Sequence, residues 1–200
     1  GRVGPDAAAG LDAVGAVGHD HVHQHQVHAR GLAVGAADAE HCQGLVRVLG
    51  VQRVRQPVRL DRYAGNVCLI VNIASRCGLA KRNYAPLEEL QRRYRDRGLR
   101  VLAFPSNDFL NQEPGGPEEI RRFCTRFKAT FDLFAKVHVR GKDICPLYRY
   151  LTAHPDRRIA GPVRWNFQKY LVNRRGDVVA KFSPISKPLG GRIIAAVERL

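Results

Sequence analysis

The sequence predicts a three-layer α/β domain behind a poorly structured front segment, on three observations. Val67-Cys-Leu-Ile-Val-Asn-Ile73 is a nearly unbroken apolar run of strand length, the pattern of a strand covered on both faces. Strand-like and helical-period segments then follow in the order β-α-β-α-β-α-β-β-α, whose opening is a right-handed βαβ unit. The composition also shifts along the chain, with the first aromatic residue at Tyr63 and the first lysine at Lys81. A domain of about 140 residues buries roughly two-thirds of its unfolded surface and needs no disulfides to stand.

Residues 1–43 are dominated by Ala, Gly, Val, Asp and His, with no aromatic anchor to offset the entropy of ordering the backbone. Asp6 and Asp12 interrupt any secretory core, and a transit peptide would be Arg-rich and acid-poor. The histidines from His19 to His28 have the chemistry to chelate a transition metal, but alternating spacing on a floppy chain supplies no fixed tetrahedral site. No metal is therefore expected, and a non-homologous extension is the better reading. The chain has no methionine, which points to a processed product, a fragment or a misplaced start. Leu45 to Leu60 alternates Val and Leu with Arg and Gln, compatible with an edge hairpin. The join is placed between a flexible extension, residues 1–57, and the folded domain, residues 58–200.

Within the domain, Asn83 is expected to cap a helix carrying Leu87, Leu90 and Tyr94, closed by Gly98, with Glu88–Arg92 and Glu89–Arg93 pairs along it. Leu99–Phe104 reads as the next strand, stopped by Pro105. After a polar, turn-rich stretch, Pro117 suits the first turn of a helix with Ile120, Phe123, Cys124 and Phe127 on one face. A short strand at Val137–Val139 and a short helix at Pro146–Ala153 follow. Phe167–Val172 and Val178–Phe182 flank the hairpin turn Asn173-Arg-Arg-Gly176, and a last helix runs from about Pro188 to Leu200.

The charge is strongly basic: 33 Lys+Arg against 18 Asp+Glu give +15. Six arginines and five acids precede residue 61, so +14 of the +15 belongs to the domain. Such a balance raises a nucleic-acid-binding module as a rival reading. Against it, the basic residues are scattered along helices beside glutamates, with no array of stacking aromatics. A hydrophobic fraction of 44% excludes a wholly disordered chain. No apolar run approaches the roughly 18 to 20 residues of a membrane span.

Five cysteines, an odd number with no Cys-x-x-Cys, favour a reducing compartment. The cytoplasm is the expected location, with an organelle as the alternative. Cys68 and Cys145 read as packing residues. Cys77 stands apart, in Ala74-Ser-Arg-Cys-Gly78 between the first core strand and its helix. Ligands of open α/β sheets collect at the carboxyl ends of strands. A thiol there meets a helix amino-terminus, with Arg76 and Lys81 nearby, features that favour the nucleophilic thiolate. The plainer alternative is an inert loop thiol.

Asn72-Ile-Ala-Ser-Arg-Cys-Gly78, Phe104-Pro-Ser-Asn-Asp-Phe109, Gln112-Glu-Pro-Gly115, Phe123-Cys-Thr-Arg-Phe-Lys128 and Arg164-Trp-Asn-Phe167, in that order, resemble the glutathione peroxidase family from about residue 58 to 200. The resemblance implies a thioredoxin-like fold and reduction of hydrogen peroxide and organic or phospholipid hydroperoxides. It also implies a catalytic group of a cysteine or selenocysteine, a Gln, a Trp and an Asn. Cys77 takes the peroxidatic position, and Trp165 and Asn166 match the Trp and Asn. A thiolate that attacks an O–O bond becomes a sulfenic acid and releases an alkoxide that must be protonated. An indole N–H and an amide N–H₂ are neutral donors suited to that charge. The alternatives are a core aromatic for Trp165 and a turn residue for Asn166.

The sequence departs from the family at Asp108, where the pattern has Gln. A carboxylate there accepts hydrogen bonds without donating and, close to Cys77, would disfavour the thiolate; a proton shuttle is the other role open to it. Gln112 already matches the Gln-Glu-Pro motif and is not taken as the substitute. A catalytically weak, redox-sensing thioredoxin-fold protein is therefore the main alternative. Cys124 matches the resolving cysteine of the thioredoxin-dependent subgroup, which implies a Cys77–Cys124 disulfide. A buried structural thiol is its alternative. Thioredoxin or glutathione is the implied reducing co-substrate, with no bound cofactor. The short stretch between Val139 and Arg164 resembles the phospholipid-hydroperoxide type, which implies a monomer, and the arginine-rich surface suits an anionic membrane face or an acidic reductant.

Overall fold

The computed structural model describes residues 59–200. The 1–57 extension, its histidine tract and all but the last two residues of the expected hairpin lie outside the described residues. After a 3₁₀ turn at Leu60–Tyr63, the chain forms β1 (Val67–Ile73), α1 (Ala80–Tyr94), β2 (Leu99–Pro105), α2 (Pro117–Thr125) and β3 (Asp132–Leu133). It continues with α3 (Pro146–Thr152), β4 (Lys169–Val172), β5 (Val178–Phe182) and α4 (Gly191–Glu198). The sheet order is β3-β2-β1-β4-β5. β2 runs parallel to β1 and β3, and β4 is antiparallel to β1 and β5.

The apolar run of β1 is the centre of this sheet, and all seven of its residues are buried. Val67, Leu69, Val71 and Ile73 pack with Tyr84, Leu87 and Leu90 of α1, Ile120 and Cys124 of α2, and Ile193 and Val197 of α4. Cys68 and Ile70 point to the opposite face, where Leu147, Tyr148 and Leu151 of α3 cover them. The two faces of one strand thus belong to two cores, which is why the run lacks a polar side. Burial pushes the Cys68 thiol up to about 12, consistent with a packing residue.

Several local expectations shift. Helix α1 begins at Ala80 with Leu79 before it, and Asn83 lies inside the first turn, donating its Nδ2 to Leu79 O at 2.9 Å. Ala80, Lys81 and Arg82 are good helix formers, so the helix extends past the expected cap. Gly98, with φ 88°, closes the segment in the left-handed conformation that suits glycine. In place of the predicted Glu88–Arg92 and Glu89–Arg93 pairs, Arg92 bonds Glu89, three residues back, and Glu88 turns to the N–H and Oγ of Thr130. The short strand on the β2 edge is Asp132–Leu133 instead of Val137–Val139; beyond it the chain still follows β2, with Val137 N–H donating to Pro105 O at 2.9 Å. β4 starts two residues later than expected because Phe167 has φ +67° and breaks the extended backbone.

Candidate active site

The carboxyl ends of β1 and β2 and the entry to β4 lie side by side, and the predicted site residues come from these three places except Cys124, which lies on α2. The turn after β1 carries Cys77, which is 5% exposed and whose carbonyl accepts the Ala80 N–H at 2.9 Å as α1 begins. A cleft of about 630 Å³ opens here, lined by Cys77, Gly78, Phe123 and Phe127 with the cations Arg76, Lys81 and Arg126. The exposed Arg76 also pairs with Glu119 at 3.5 Å.

Asn72 on β1 ties the β4 entry to this turn. Its Nδ2 donates to Trp165 O at 3.2 Å, its Oδ1 accepts the Gln168 N–H at 3.0 Å, and its carbonyl accepts the Phe167 N–H at 2.7 Å. Trp165 is half-buried against both cores, with its ring 5.3 Å from that of Phe109. Asn166 is fully buried and donates its Nδ2 to Gln112 Oε1 at 3.0 Å. Its Oδ1 is buried without a hydrogen-bond partner among the described residues. Turning both amides over would exchange the roles and leave the Asn166 N–H₂ as the free group.

Asp108 goes elsewhere. Its Oδ2 accepts the Val139 N–H at 2.6 Å and its Oδ1 meets His138 Nδ1 at 2.7 Å, so both oxygens are engaged by the 138–139 segment. Of the predicted site residues only Cys77 lines the cleft; Asp108, Trp165, Asn166 and Cys124 are not among its lining residues.

Cys124 sits on α2 in the same core as Cys77, 2% exposed, and burial pushes its thiol up to about 12. The nearby Glu113 carboxylate adds to that rise, and the Tyr84 hydroxyl that faces the sulfur opposes it. Tyr84 is held by the rings of Phe123 and Phe127, each 5.1 Å away, and its buried hydroxyl makes no well-formed hydrogen bond among the described residues. Sequence reasoning missed Gln112, Glu113 and Tyr84 as site neighbours. The Gln-Glu-Pro motif was the available signal for the first two; nothing in the sequence marks Tyr84. Among the described residues no group of three or more His, Cys, Asp or Glu side chains forms a metal cage.

The glutathione peroxidase family model matches residues 47–152, and a probable glutathione peroxidase 2 of Arabidopsis thaliana is 49% identical over 133 residues, 66% of this chain and 79% of the relative. The chain belongs to the glutathione peroxidase family. It is a thiol peroxidase, an oxidoreductase that reduces hydroperoxides. A probable phospholipid hydroperoxide glutathione peroxidase of Helianthus annuus is 47% identical over 135 residues, covering 67% of this chain and 75% of the relative. The crystal structure of T. cruzi GPX1 shares 35% identity with a TM-score of 0.55, over 70% of this chain and 84% of that one. A thioredoxin family thiol:disulfide interchange protein from Chlorobium tepidum, 12% identical with a TM-score of 0.54 over 78% of this chain and 94% of its own, shares the thioredoxin-like fold. In this glutathione peroxidase family member the thiol sits where that fold collects ligands, at the carboxyl end of a central parallel strand.

Proposed function

We propose that the chain reduces hydrogen peroxide and organic or phospholipid hydroperoxides through Cys77. The observation that carries this is Cys77 at the start of α1, opening on a cleft with three cations and no carboxylate in its lining. The Cys77 thiolate attacks one oxygen of the O–O bond and becomes a sulfenic acid; the other oxygen leaves as an alkoxide and takes a proton to give the alcohol or water. Trp165 and Asn166 supply neutral N–H donors to the developing charge. The Cys124 thiol then condenses with the sulfenic acid, forming the S–S bond and releasing water, and a thioredoxin dithiol or two glutathiones reduce the disulfide. Cys124 is buried on a helix, so the condensation requires α2 to loosen locally.

The cationic cleft favours an acidic reductant or an anionic headgroup beside the peroxide. A monomer in the cytoplasm completes the reading; relatives include forms named chloroplastic, and among the described residues no helix is long and apolar enough to cross a membrane. Peptide mapping after one equivalent of peroxide tests the route. A Cys77–Cys124 link is expected, and a persistent Cys77 sulfenate would refute Cys124 as the resolving thiol. A second reading, a weak redox sensor, draws on Asp108, whose engaged oxygens leave no side-chain donor at the family's Gln position. A coupled assay with thioredoxin, its reductase and a phospholipid hydroperoxide separates the two by turnover.

A further inference from the structure

Two residues before Cys77, the backbone is gripped by a buried carboxylate that the steps above do not use. Glu113 is 1% exposed; its Oε2 accepts the Ser75 N–H and its Oε1 accepts the Ser75 Oγ–H, both at 2.7 Å. The segment bearing Glu113 is fixed at two further points: its own N–H donates to Asn107 Oδ1 at 2.8 Å, and Gln112 O accepts the Arg76 N–H at 3.0 Å. Burying a carboxylate is costly unless its lone pairs are used, and here they are used on the turn that presents the thiol.

We propose that Glu113 is a positioning residue for the peroxide reaction: as an anion it holds both donors of Ser75 and so fixes the Ser75-Arg76-Cys77 turn with the sulfur at the cleft. The inference rests on Cys77 as the peroxidatic residue. A protonated carboxyl turns one acceptor into a donor, and the two-point grip is lost. Burial, opposed by the Ser75 bonds, moves Glu113 above the ordinary 4.5. The other groups facing it are Lys136, which favours the anion, and Glu119, Cys124 and Tyr84, whose negative forms oppose it. Lys136 Nζ donates to Gly115 O at 2.7 Å. The peroxide rate should therefore have an acid limb belonging to Glu113, separate from the thiolate fraction of Cys77.

The test is stopped-flow oxidation of the full chain by hydrogen peroxide between pH 5 and 8, each rate divided by the thiolate fraction read from ultraviolet absorbance. Glu113→Gln should be at least ten-fold slower at pH 7, and its normalised rate should lose the acid limb seen in the wild type. A Glu113→Gln rate within two-fold of wild type with the limb intact would overturn the proposal. If that variant fails to fold by circular dichroism, Ser75→Ala decides: it keeps the backbone bond and should lose about three-fold in rate, and an unchanged rate would overturn the proposal. Cys77→Ser is the control, since peroxide reduction surviving there defeats the Cys77 reading itself and is distinguishable from a normal Glu113→Gln.

Discussion

Lys169→Met should remove much of the pH dependence of stability between pH 7 and 9. Lys169 opens β4 three residues after Asn166, is fully buried, and donates its Nζ to Ser186 O at 2.8 Å and Pro184 O at 3.2 Å. Burial lowers its pKa from 10.5 to about 7, while the two carbonyls favour the ammonium and act against that fall. A lysine with a lowered pKa binds its proton less tightly in the folded chain. Below about pH 7 both states carry the proton; from there to about 10.5 only the unfolded chain does, so stability from this group rises with pH across that window. A fall of about 3.5 pH units, at about 1.36 kcal/mol each, sets an upper bound on the order of 5 kcal/mol for the whole window. The part between pH 7 and 9 is about 2 kcal/mol. Urea unfolding at pH 7, 8 and 9, below the range where the buried tyrosines and Cys124 titrate, should show wild type gaining about that much relative to Lys169→Met. Parallel curves for the two proteins would refute the reasoning.

Asp108→Gln replaces a carboxylate that holds the Val139 N–H, so it should cost about 1–2 kcal/mol and lower the melting temperature by a few degrees. The same variant restores the family's amide and should raise the peroxidase rate; an equal or lower rate would remove Asp108 as the cause of a weak site. Cys124→Ser should still consume one equivalent of peroxide but stop turning over with thioredoxin, leaving a Cys77 sulfenate that dimedone captures; sustained thioredoxin-dependent turnover would contradict the resolving role. Gly98→Ala should destabilise by about 1–3 kcal/mol, because φ is +88° and a Cβ there would stand 2.6 Å from Nη1 of Arg174, whose three guanidinium nitrogens each donate to a backbone carbonyl. Thermal melts check it, and an unchanged midpoint would show that Arg174 moves aside freely.

The apolar run of β1, the helix signals of α1 and α2 and the β4–β5 hairpin were legible because each depends on neighbours a few residues apart. Cys77 was legible for the same reason: its place between a core strand and a helix follows from local pattern, and the ordered motifs carried the family. The start of α1 and the edge strand at Asp132–Leu133 were not, since neither the early helix start nor the pairing with β2 leaves a sharp local mark.

By itself the sequence determined the α/β order, the thiol's place at the end of β1 and the concentration of charge in residues 61–200. Only the tertiary structure decided what the residues of the site bond to. Ser75 meets Glu113 across 38 residues, Asn166 meets Gln112 across 54, and Asp108 turns to Val139 across 31. Hydrogen bonds between side chains and distant partners are set by how loops converge at one end of the sheet, and no local period encodes that convergence.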